Sequence, residues 1–106
     1  MDKKPTITVM AKRPDSGWYK TNLSNNLQNF QRFVGGPIEI VTLAADFVVV
    51  CNEEGKLRGL PYNCAIAGYD FVGDIFVCSS EGDELVDFDL PLKLFLQVIG
   101  TAPKEV

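Results

Sequence analysis

The sequence predicts one α+β domain over residues 1–106, a mainly antiparallel sheet of about five strands with two helices. Three observations lead there. Short β-branched and aromatic runs at Thr6–Lys12, Ile38–Leu43, Phe47–Asn52 and Ile75–Ser79 have the length and composition of strands. Clusters of Gly, Pro, Asn and Asp punctuate them, as tight turns require. Two other stretches, one ending at Gly35-Gly36-Pro37 and one beginning at Pro91, repeat their apolar residues at helical spacing.

Thr6–Lys12 alternates, with Ile7, Val9 and Ala11 on one face and Thr8, Met10 and Lys12 on the other. Pro14-Asp15-Ser16-Gly17 reads as a turn, and Trp18–Thr21 as a short strand returning on the first. A helix capped by Asn22 or Ser24 is expected next, with Leu23, Leu27, Phe30, Phe33 and Val34 as its apolar stripe. Its other face, rich in Asn and Gln, is either solvated or a contact surface. Gly35 and Gly36 end the helix and Pro37 cannot continue it.

Ile38–Leu43 and Phe47–Asn52 then form a hairpin around Ala44, Ala45 and Asp46. Glu53-Glu54-Gly55 reads as a type I turn with Gly55 left-handed, returning the chain as a strand over Lys56–Leu60. The result is a three-stranded meander with Phe47–Asn52 in its middle. Tyr62–Tyr69 is read as a crossing loop or a short irregular helix. Ile75–Ser79, apolar on both faces, is an internal strand. The acids Glu81, Asp83, Glu84, Asp87 and Asp89 mark a polar connection, and Asp87 or Asp89 caps a final helix, Pro91–Ile99. Thr101–Val106 is expected to fray.

The chain has the size of one domain with one core. Its net charge of −4 and pI near 4.6 argue against direct nucleic-acid binding, which gains affinity from Lys and Arg displacing counterions. Lys3, Lys4, Lys12 and Arg13 cluster near the start, where solvated strand ends are the plainer reading. No apolar run is long enough for a membrane span or a secretion signal, so an intracellular, cytoplasmic protein is expected.

Catalytic equipment is sparse. The sequence holds no histidine, which removes the usual general base and the commonest metal ligand. Cys51, Cys64 and Cys78 are far apart, lack a C-x-x-C pair, and read as small hydrophobes rather than disulfide or zinc ligands. Glu53 and Glu54 are adjacent on a turn and diverge, unlike paired catalytic carboxylates. Asp70, Asp74 and the later acids lack calcium-loop spacing. Gly35-Gly36 lies at the wrong end of its helix to cradle a phosphate. No catalytic residue, metal or cofactor is assigned, and a non-enzyme is expected.

At GGPIEIVTL, FVVVCNEEGKLRGLPYN and VGDIFV, the chain resembles a family of small proteins, a domain of unknown function found in phages, plasmids and other mobile elements of bacteria. The resemblance covers about residues 18–80, and its most specific part is the pairing of NEEGKL with GLPYN. It implies an α+β fold and a mobile-element setting, and carries no catalytic residues. The setting implies a protein that binds and blocks a host defence component, in its sharpest form a CRISPR-associated nuclease.

Asn52, Glu53, Glu54, Glu81, Asp83, Glu84 and Asp87 are the candidate partner-binding residues, suited to a basic groove. The alternative is a nucleotide or small-molecule module using Trp18, Tyr62, Asn63 and Tyr69 for stacking and hydrogen bonding. Trp18 reads equally as a hydrophobic lid. A homo-oligomeric structural protein, joined through a strand edge or the last helix, is a third reading.

Overall fold

The computed structural model describes residues 4–44 and 47–100. The main sheet runs in the order β2 (Tyr19–Ser24), β1 (Thr6–Lys12), β7 (Ile75–Glu81), β4 (Phe47–Asn52), β3 (Ile38–Ala44), every pair antiparallel. A short strand, β8 (Glu84–Val86), pairs with the far end of β7. A separate hairpin is made by β5 (Tyr62–Ile66) and β6 (Tyr69–Val72). Helix α1 spans Leu27–Val34 and helix α2 spans Leu92–Gly100. The α+β class and the two helices are as the sequence predicts, although the strands among the described residues number eight.

Strand β7 is the centre, as its apolar run suggests, with Ile75 through Cys78 all at 1% exposure or less. Both faces of the sheet are covered. Phe76 opposes Ala11 and Val50 and receives Phe30 and Phe33 of α1 at ring distances of 5.5 and 5.6 Å. On the reverse face Val77 opposes Met10 and Val49. There Phe47 begins an aromatic chain through Phe88 and Phe95 to Trp18, with neighbouring rings about 5 Å apart. The second layer explains why Met10, which alternation puts on the face opposite Ile7, Val9 and Ala11, is fully buried as they are.

Three local expectations are corrected. Residues 22–24 belong to β2, where Leu23 opposes Ile7. The cap is Asn26, whose side chain accepts from the Asn29 N–H at 2.8 Å and so satisfies an end-of-helix donor. Gly35 ends the helix at φ 86, as predicted.

The second correction concerns residues 53–60, which do not form a strand; β4 lies between β3 and β7. Asn52 Oδ1 accepts from Glu54 N at 2.8 Å and starts a single helical turn. It closes with Leu60 N donating to Gly55 O and Gly59 N to Lys56 O, while Gly59 takes φ 69. This is a Schellman ending, with the left-handed glycine four residues later than expected. Gly55 is needed for space instead, since a Cβ there would sit 2.8 Å from Val72 Cγ2.

Third, Tyr62–Tyr69 is a hairpin, turning through Ala67 at φ 52 and Gly68 at φ 86. Two successive positive φ values give the type I′ turn whose twist matches paired strands. The final helix is observed at Leu92–Gly100. Ala45, Asp46 and Thr101–Val106 lie outside the described residues.

Candidate functional site

The structure divides the predicted partner-binding residues between two ends of the sheet. Phe47 opposes Ser79 while Val50 opposes Phe76, so β4 ends where β7 begins. Glu53 and Glu54 follow β4 at one end; Glu81, Asp83 and Glu84 sit at the other. Seven residues of strand at roughly 3.3 Å each separate them by about 20 Å.

The far end is a hairpin tip. Glu81, Asp83 and Glu84 are all exposed, and Gly82 turns the chain between β7 and β8. Asp87 is not part of this free acidic surface. Its carboxylate accepts from Thr8 N at 2.9 Å and pairs with Lys4 Nζ at 2.7 Å. These contacts hold the Asp87 carboxyl below the usual range and raise Lys4. Together with Phe88 N donating to Thr8 O, they splice the chain after β8 onto β1 rather than capping α2.

At the near end, two buried asparagines act as fasteners. Asn52, 5% exposed, donates to Val34 O at 3.1 Å and pins the C-terminus of α1 to the end of β4. Asn63, 7% exposed, donates to Lys12 O at 2.9 Å and Gly73 O at 2.7 Å, and accepts from Lys12 Nζ at 2.9 Å. It joins the end of β1 to the turn before β7. Their amide groups are engaged inside the fold.

The fasteners frame an open groove of about 660 Å³. It is lined by Arg13, Arg32 and Arg58, by Asp15 and Asp74, and by an apolar floor that includes Phe33 and Pro61. These are all the arginines of the chain. Arg58 Nη1 donates to Gly35 O at 3.2 Å, so the C-terminus of α1 fixes its guanidinium. Among the described residues the one ion pair is Lys4–Asp87, so none of the three arginines is salt-bridged there.

Sequence reasoning missed this gathering. The arginines are scattered along the chain and share no local motif. The available signal was their scarcity beside seven lysines.

A smaller cavity of about 170 Å³ lies on the other side of the 53–60 turn, between Glu39, Cys51, Glu53, Lys56, Tyr69 and Asp70. Tyr69 therefore borders a cavity, while Trp18 packs edge-on against Phe95 at 4.9 Å, as a lid does. Tyr62 is exposed on the separate hairpin. The aromatic candidates are not gathered around Asn63. Among the described residues no group of three acidic, Cys or His side chains is placed to hold a metal. Burial pushes the Cys51 thiol up to about 11 and Cys78 to about 12, and raises Cys64 as well. Neutral thiols are poor nucleophiles.

No described helix is long and apolar enough to cross a membrane. No curated protein matches the chain, and no solved structure does. A family model for a domain of unknown function, DUF3846, matches residues 7–95, extending the region of resemblance through β1, β8 and into α2. Spanning nearly all of the sheet, helix α1 and the start of α2, that match places the chain in the DUF3846 family.

Proposed function

We propose that this is a non-enzymatic, cytoplasmic binding protein of a phage or other mobile element, acting by occupying a host defence component. In its sharpest form the target is a CRISPR-associated nuclease, whose nucleic-acid groove would be the surface covered. One observation carries the reading: three exposed carboxylates, Glu81, Asp83 and Glu84, stand together on a hairpin tip of a chain with net charge −4. A tip of this kind complements a basic groove and is drawn to it by long-range attraction. The neutral, buried thiols and the missing histidine support binding over turnover.

The test is a phage plating assay in a strain carrying such a nuclease, paired with nuclease cleavage in vitro. The protein is expected to restore plating and slow cleavage. The variant combining Glu81→Lys, Asp83→Lys and Glu84→Lys should lose both effects while staying folded. No protection across representative nuclease types contradicts the proposal.

A further inference from the structure

We propose that the arginine groove is a binding site for a phosphorylated small molecule of the nucleoside phosphate class. Guanidinium groups present rigid forks of N–H donors that match phosphate oxygens two at a time. The fold brings every such group in the chain to one groove, Arg13 from the end of β1, Arg32 from α1 and Arg58 from the 53–60 turn. Three separate segments supply them, so the convergence belongs to the tertiary structure and not to a local charge run. Their charges are not spent on carboxylates among the described residues.

The groove also has the dimensions and chemistry for the rest of such a ligand. Its volume of about 660 Å³ falls within the range of roughly 300–1,000 Å³ usual for small-molecule sites. Asp15 and Asp74 offer acceptors for hydroxyl or amino groups, while Phe33, Pro14, Leu60 and Pro61 offer apolar surface for a ring. Their carboxylates, and the net charge of −4, disfavour a long polyanion running through the groove. A single phosphorylated molecule is the better fit. The frame is stiff where it matters: Asn63 holds Gly73 beside β1, Asn52 holds the end of α1, and Gly35 O orients Arg58.

The experiment is calorimetric titration of the full chain with adenosine and guanosine monophosphates, their unphosphorylated nucleosides, inorganic phosphate and an oligodeoxythymidine. At least one nucleoside phosphate should bind, roughly tenfold or more tighter than its nucleoside, as loss of charged hydrogen bonds implies. Arg13→Gln and Arg32→Gln, both at exposed positions, should each weaken it by about tenfold with unchanged unfolding midpoints. The acidic-tip variant should bind as the parent does, which separates this site from the proposed partner surface. The inference is overturned by no binding, by inorganic phosphate binding as tightly as the nucleotides, by tighter binding of the oligonucleotide, or by indifference to both substitutions.

Discussion

Replacing Asn63 tests how the near end of the sheet is assembled. The buried amide donates to two backbone carbonyls, Lys12 O and Gly73 O, and accepts from Lys12 Nζ. Asn63→Ala removes all three contacts and leaves two carbonyls facing a small void. A net hydrogen bond contributes about 1 kcal/mol, and a buried group left unpaired costs about 1–3 kcal/mol. Lys12 can re-solvate, since it is only partly buried, so the two carbonyls set the total at about 2–4 kcal/mol. That is a large share of a stability of about 5–15 kcal/mol. Equilibrium urea unfolding measures it directly, as a lowered midpoint with an unchanged slope.

Asn63→Asp sharpens the test. It keeps the shape and an acceptor for Lys12, but at neutral pH it donates nothing and turns a carboxylate toward two carbonyl oxygens. It should be no more stable than Asn63→Ala. A parent-like midpoint for the aspartate variant refutes the view that amide donors fasten this corner.

Other perturbations have defined outcomes. Ala67 sits at φ 52, a left-handed conformation that Asn adopts more readily than Ala because its short polar side chain hydrogen-bonds locally, so Ala67→Asn should stabilise the β5–β6 hairpin by about 0.5–1 kcal/mol, read as a higher urea midpoint. Gly55→Val should destabilise by collision with Val72, and Val72→Ala in the same chain should recover part of the loss. A double-mutant cycle showing no coupling refutes that contact. The depressed Asp87 carboxyl contributes stability that is fully present above its unfolded value, about pH 4, and is lost as pH falls through its folded value. The stability gap between parent and Asp87→Asn should therefore narrow on acidification through that range, and a gap independent of pH contradicts the pairing. Cys51 and Cys78, with thiols near 11 and 12, should resist iodoacetamide at neutral pH until denaturant is added, as mass spectrometry of labelled peptides will show.

The parts legible in the sequence were those set by local pattern. Ile75–Ser79 read as an internal strand because it is apolar on both faces, and the structure places it at the centre of the sheet. Gly35 read as a helix stop because a left-handed ending favours glycine. The 53–60 turn differs from the predicted strand although its signal is present in the sequence. Asn52 followed by two acids, with Gly59 seven residues on, has the cap, first-turn charge and terminal glycine of a short helical turn. The hairpin reading fixed on Gly55 because glycine also serves close packing, and sequence alone does not separate those uses.

Helix α1 starts later than the helical phase of Leu23 with Leu27 predicts, because Leu23 pairs across to Ile7. Long-range strand pairing decided that segment over local period. The candidate surfaces were legible only in part. The acidic tip is contiguous in sequence and so visible there, whereas the arginine groove depends on three distant segments meeting.

The mode of action proposed for this protein is the presentation of a surface. Its most direct test is affinity purification of the protein from its natural host during phage infection, run beside the acidic-tip variant. A single host protein should be retained at near-equal amounts by the parent and lost with the variant, while Arg32→Gln keeps it. Equal recovery by parent and acidic-tip variant, or substrate turnover by pure parent protein that one point substitution abolishes, would contradict the claim.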